Sequence, residues 1–292
     1  MRIDSHQHFW RYNAGEYGWI DDSMSSLRRD FLPPDSVREM SRVGFDACVA
    51  VQARQTLEET RWLLELADAH PSIVGVVGWV DLQADDVREQ LAAVASHPRL
   101  VGVRHIAQSE PDDRFLVRPA FCRGIAALAE FALAYDILIY SRHLPAAAEL
   151  VSRFPEQRFV LDHAAKPPLK SGDLRAWERD LRHLAGFPNV YCKLSGLITE
   201  AEWTGWTEAP LEQCLDVVLQ AFGADRLMIG SDWPVCTLAA DYAETMALVT
   251  DWMVMMVSDA QWDAIAGGNA QRFWRLDETR PAGARAASSA RL

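Results

Sequence analysis

The sequence predicts an α/β protein, a single (β/α)8 TIM-type barrel with long aromatic βα loops, and three observations carry that prediction. Eight short apolar runs punctuate the chain, stretches of helical periodicity separate most of them, and no glycine-rich phosphate turn of a dinucleotide-binding sheet is present. Strands alternating with helices need crossover connections and so form a parallel sheet; eight repeats favour a closed barrel over an open doubly wound sheet. A chain of 292 residues, 49% of them hydrophobic, is ample for one such domain.

The eight runs, read as strands, are residues 3–5, 47–51, 73–80, 100–106, 137–140, 159–161, 190–194 and 227–230. Gly75-Val76-Val77-Gly78 lies inside the third run and reads as a packing feature. Thr56-Leu57-Glu58-Glu59 is a capping box that opens a helix running to about His70. After the break at Pro33-Pro34, Asp35 is expected to cap a helix ending near Gly44, and another helix ends at Ala221-Phe222 with Gly223 just past it. Two connections are long and aromatic. The first, residues 6–46, holds Trp10, Tyr12, Tyr17 and Trp19; the second, residues 197–210, holds Trp203 and Trp206. Both would lie on the C-terminal face of the barrel, as lids over a site or as hydrophobic caps. The barrel is expected over residues 1–277, and residues 278–292, which lack apolar periodicity, as a disordered tail.

A formal charge of −12 argues against nucleic acid or an anionic membrane as partner, since both demand a basic footprint. The five cysteines (Cys48, Cys122, Cys192, Cys214, Cys236) are scattered without CxxC spacing and read as reduced thiols of a cytoplasmic protein. The first strand begins at residue 2 or 3, so no signal peptide is expected. The apolar stretch 124–140 is broken by Glu130 and Asp136 and cannot span a bilayer, which points to a soluble chain. Exposed barrel faces are compatible with a homo-oligomer.

The chemistry gathers at strand ends. His6 and His8 stand at i and i+2, so on a strand both imidazoles point to one spot. The C-terminal ends of later strands carry Arg104 and His105, Tyr140 to Arg142, Asp162 and His163, Lys193 and Ser195, and Asp232. Strand four must turn one of Arg104 and His105 inward, and Arg104 is the expected one. Singly, Asp162 fits a loop cap and His163 a structural histidine. A polar cluster at one end of so many strands is not explained by core packing.

A His-x-His closing the first strand and an aspartate closing the eighth resemble the frame of the amidohydrolase superfamily. Four further segments are similar to its lactone-hydrolysing branch: Phe159-Val160-Leu161-Asp162-His163-Ala164-Ala165-Lys166-Pro167, Tyr191-Cys192-Lys193-Leu194-Ser195-Gly196-Leu197, Ile229-Gly230-Ser231-Asp232-Trp233-Pro234 and Gly268-Asn269-Ala270-Gln271-Arg272-Phe273. That branch holds sugar lactonases acting on L-fucono- and L-rhamnono-lactones and the pyrone-dicarboxylate lactonases. The resemblance implies hydrolysis of a sugar lactone to the aldonic acid, with Asp232 as the base for water and His6, His8 and His163 polarising the carbonyl. It leaves two versions open: one divalent metal, zinc by ligand type, on His6, His8 and Asp232, or chemistry without a metal. Binuclear members carry a bridging lysine or glutamate on strand four, and Val103-Arg104-His105 offers none; His143 stands too far round. Arg104, Tyr140, Arg142 and Lys193 are the candidate substrate-binding side chains, with Trp10, Trp79, Trp203, Trp206 and Trp233 as stacking planes. One arginine and a lysine suit a neutral polyhydroxylated ring better than a dicarboxylate. The competing readings are a metal-dependent decarboxylase or other hydrolase, and a non-catalytic barrel that binds sugar acids.

Overall fold

In the computed structural model, which describes residues 1–276, eight parallel strands pair in chain order. They are β1 (Ile3–Gln7), β2 (Ala47–Val51), β3 (Ile73–Gly78), β4 (Leu100–His105), β5 (Ala134–Ile137), β6 (Phe159–Leu161), β7 (Val190–Leu194) and β8 (Leu227–Ile229). Closure comes just beyond the last strand, where Gln7 bridges Trp233, the Asp232 N–H donates to the His6 carbonyl at 2.9 Å and the His8 N–H donates to the Trp233 carbonyl at 2.7 Å. The barrel's seam therefore runs through the residues expected to carry chemistry. The expected tail, 278–292, lies outside the described residues.

Seven strands fall within two residues of their expected bounds at each end. The exception is β5, which lies three residues earlier than 137–140. Ile137 pairs with Leu161, where β6 ends, so the apolar run Leu138-Ile139-Tyr140 has no ladder to join. Apolarity marked burial there, not pairing.

The helices that cover the barrel are α1 (Pro33–Arg42), α2 (Leu57–Ala69), α3 (Val87–Ala95), α4 (Pro119–Leu128), α5 (Leu144–Arg153), α6 (Arg175–Ala185), α7 (Glu208–Phe222) and α8 (Tyr242–Met256), followed by the short α9 (Asp259–Asp263) and α10 (Asn269–Trp274). Thr56 caps α2 by accepting from the Glu59 N–H, but the Glu59 carboxylate turns away and accepts from the Ala53 and Arg54 N–H groups instead. At α1 the expected cap is corrected: Pro33 and Pro34 open the helix, Leu32 is its N-cap, and Asp35 sits in the first turn. Proline suits that position because its missing N–H is an orphan there anyway. Gly223 ends α7 at φ +67°, as its place past Phe222 implied.

Two apolar layers hold the structure. The larger packs strands against helices; the smaller fills the barrel's interior with Ile3, Val49, Val101, Val160 and Met228, and Phe273 and Trp274 of α10 plug its lower end. Gly78 is a close-packing point: a β-carbon there would stand 2.5 Å from Thr60 of α2. Two register shifts matter above this plug. One lies between Asp4 and Gln7; the other gives β4 an extra residue, since Val76 pairs with Leu100 but Val77 with Gly102. Each lets two residues three apart face inward, Ile3 with His6 and Val101 with Arg104. All five cysteines are free thiols, and no helix among the described residues is long and apolar enough to cross a membrane.

Candidate active site

His6 comes from the end of β1 and His8 from just beyond it, with Nε2 atoms 3.2 Å apart. Asp232, past β8, brings Oδ1 to 3.2 Å from His8 Nε2, 3.7 Å from His6 Nε2 and 4.0 Å from His163 Nε2. All four are buried. His163 and Asp232 both adopt positive φ, +54° and +59°, as do the next three residues after His163. Runs of such backbone are costly for side-chain-bearing residues and are found where surrounding structure imposes them. Here the turn after β6 swings His163 back over the barrel mouth.

Beneath this layer is a buried charge cluster. The Lys193 ammonium lies 2.5 Å from Asp136 Oδ2, 2.9 Å from Asp162 Oδ1 and 3.1 Å from His6 Nδ1. Arg104 donates to Asp162 at 2.9 Å, stands 3.1 Å from His6 Nε2, and is fixed from the side by the carbonyl and side chain of Gln52. His6 is thus flanked by a cation at each ring nitrogen. Burial first and Lys193 second hold its pKa well below the ordinary imidazole range, so it stays neutral. Burial also pushes His163 down to about 4. Burial alone would raise Asp232, but His163, then His8 and His6, outweigh it and hold the carboxyl below the usual carboxylate range. Asp162 is likewise held down, by Lys193 and then His6 and Arg104 against the effect of burial, whereas burial raises Asp136 despite Lys193.

His8 Nδ1 lies 2.8 Å from the Val51 carbonyl, an acceptor only, so Nδ1 carries the proton. Neutral His8 would then turn an Nε2 lone pair on the Asp232 carboxylate. That contact is attractive only with a cation between, either a second proton on His8 or a metal ion. Donors held about 2.1 Å from a tetrahedral zinc stand roughly 3.4 Å apart, and the separations of 3.2, 3.2 and 3.7 Å among His6, His8 and Asp232 fit that set. A second group, His6, Asp162 and His163, is also close enough. Its carboxylate, however, is already neutralised by Arg104 and Lys193.

A cavity of about 680 Å³ opens above His8, Arg104, His163 and Asp232. Tyr140 lines it, as do Trp19 of the first aromatic loop and Trp203 of the second. Six of the expected substrate contacts lie outside this lining. Arg142 falls in the turn beyond β5, which ends three residues earlier than expected; it is exposed and paired with Asp113 at 2.9 Å, outside the lining. Lys193 lies below the floor, fully buried and engaged by two carboxylates. Trp10 is buried against Tyr17, Trp19 and Phe31 with its N–H on the Arg29 carbonyl, and Trp233 packs against Phe9 and Phe31. Trp79 and Trp206 are not part of the lining either. His105 turns outward onto Phe115 and Glu110, which leaves Arg104 inward. His143 faces Asp113, away from the site. Sequence reasoning missed Asp136, Gln52 and Asp4. Asp4 accepts from the His6 and Ser231 N–H groups and from Tyr242, tying β1 to the segment that carries Asp232. The available signal was a charge inside an apolar run, at Asp136 above all.

An eight-stranded barrel with two histidines closing β1, an aspartate closing β8 and a cavity over their junction defines a class: hydrolytic barrels that work on a carbonyl with acid–base groups and, in many, a metal. The chain belongs to the amidohydrolase family, whose model matches residues 3–276. It is 46% identical to an L-fucono-1,5-lactonase of Burkholderia multivorans over 98% of this chain and 99% of that one. It is 38% identical to an L-fucono-1,5-lactonase of Burkholderia ambifaria, over 97% and 98%. A crystal structure of a Burkholderia multivorans amidohydrolase with bound zinc superposes at a TM-score of 0.91 with 45% identity, covering 94% of this chain and 99% of that chain.

Proposed function

We propose that this chain hydrolyses a sugar lactone of the L-fucono-1,5-lactone class to the aldonic acid. The observation that carries the reading is the convergence of three imidazoles on the buried Asp232 carboxylate at the floor of a cavity. Full-length likeness to two L-fucono-1,5-lactonases supports the substrate class.

A water oxygen attacks the lactone carbonyl carbon while Asp232, ionised at neutral pH, takes its proton. Charge grows on the carbonyl oxygen, where His8 and His163 face the cavity and supply donors, while His6, with a cation at each ring nitrogen, backs them from below. His8 can donate from Nε2 only when doubly protonated, its Nδ1 proton being committed to Val51. The ring C–O bond then breaks and the departing oxygen takes the proton back from Asp232. The product acid ionises, so each turnover releases one proton to solvent. A divalent metal on His6, His8 and Asp232 would add positive charge beside the carbonyl oxygen and acidify a water. Arg104, Asp162 and Lys193 keep His6 oriented in either case.

The experiment is proton release from a panel of aldonolactones, before and after treatment with chelator. Turnover that survives chelation assigns polarisation to the imidazoles. Turnover that is lost and then restored by zinc makes His6, His8 and Asp232 ligands. No turnover with or without zinc would sink the lactonase reading.

A further inference from the structure

The cavity above the site is divided. Going round the barrel from β8 through β1 and β2 to β5, its wall is mostly apolar, with Val235, Leu238, Met24, Ala53, Ile106 and Leu138, and is broken by Gln108 and Ser109 after β4. Across from this arc, where the segments after β6 and β7 meet, stand Lys166 and Glu200, with Lys166 Nζ 3.2 Å from Glu200 Oε1. Their side chains are 16% and 21% exposed, and the ammonium sits 5.4 Å from the centre of the Tyr140 ring. Among the described residues Glu200 is the ammonium's ion-pair partner, which leaves it N–H groups to spare. Asp232 and Glu200 are the acidic residues of the lining, and Asp232 belongs to the floor.

We infer that the Lys166–Glu200 pair reads adjacent hydroxyls of the lactone, and so selects a polyhydroxylated ring; this rests on the lactonase reading above. A hydroxyl both donates and accepts. Two neighbouring hydroxyls can therefore bridge the pair, one accepting from the ammonium and one donating to the carboxylate, while the ring's bare edge lies on the apolar arc. Lys166 is carried on the positive-φ turn that begins at His163, at φ +53°, so the hydroxyl reader and a floor histidine are set by one rigid segment. The pair touches no reacting atom; it is a specificity element.

The test compares L-fucono-1,5-lactone with δ-valerolactone, which has the same ring and no hydroxyls, in wild type, Lys166→Met, Glu200→Gln and Lys166→Arg, each checked by thermal melting. The selectivity ratio, kcat/KM for the sugar lactone over that for δ-valerolactone, is expected to fall roughly 10- to 100-fold in the first two variants, through KM, as loss of a hydrogen bond to a charged group entails. Lys166→Arg is expected to recover much of it. Equal losses on both lactones would make the pair structural and overturn the inference, as would no change on either. A wild type inert on both would instead overturn the lactonase reading itself, before any variant is measured.

Discussion

A β-carbon placed on Gly196 would stand 2.5 Å from Nδ1 of His163. Gly196, just past β7, is thus the floor on which the imidazole rests, and its φ of +61° is one that side-chain-bearing residues rarely adopt. Ser195 beside it holds the same nitrogen, Oγ lying 2.9 Å away. Gly196→Ala should displace His163 toward the cavity, lower kcat by roughly tenfold or more and destabilise the fold by more than about 1 kcal/mol. Steady-state kinetics and a melting curve check both; an unchanged kcat would mean that the position of His163 is not needed.

Asp232→Asn removes the base and leaves its shape. The expected loss in kcat is on the order of 10²- to 10⁴-fold, with the melting temperature little changed. Full proton release by this variant would contradict the assignment of Asp232.

Lys193→Met leaves the fully buried Asp136 and Asp162 without their shared ammonium. Removing one partner of a buried ion pair typically costs about 3–5 kcal/mol. Denaturant unfolding should show a loss of that order, and adding Asp136→Asn to the same chain should recover part of it. A Lys193→Met protein as stable as wild type would show that the cluster is not charged as described.

Zinc titrated into chelator-treated protein is expected to bind at one ion per chain, because Arg104 and Lys193 already neutralise the carboxylate of the second candidate group. Isothermal calorimetry and metal analysis give the number, and Asp232→Asn should weaken binding. Two ions per chain would refute this view of Asp162.

Burial raises Glu59 to about 7 from an ordinary 4.5. Between those values the folded chain keeps a proton that the unfolded chain has released. Glu59 therefore favours the folded state most below pH 4.5, and that contribution is lost as pH rises to about 7. Glu59→Gln should remove the slope: relative to it, wild type is expected to lose up to about 3 kcal/mol between about pH 4 and pH 8. Parallel pH dependences in the two proteins would show that Glu59 ionises normally.

The barrel, the order of its strands, and His6, His8 and Asp232 were legible in the sequence, because they depend on local rules. Alternation of apolar runs with helical periodicity announces βα units, and two histidines at i and i+2 share a face wherever the strand stays regular between them. Alternation lets only one of Arg104 and His105 face inward without saying which; the contacts of His105 with Phe115 and Glu110 decide it for Arg104. What only the tertiary structure decided depends on where distant strands lie against one another. The end of β5 is fixed by the end of β6, which puts Arg142 out at the rim and turns Asp136, in sequence only a break in an apolar stretch, inward beneath His6. Lys193 became a buried counter-ion for the same reason, its partners coming 57 and 31 positions away in the chain. Trp10 and Trp233 were drawn into packing because the first long loop folds back, Trp10 pairing with Phe31. Periodicity names the face on which a side chain lies; only strand register, set across the closed sheet, names the partner it meets there.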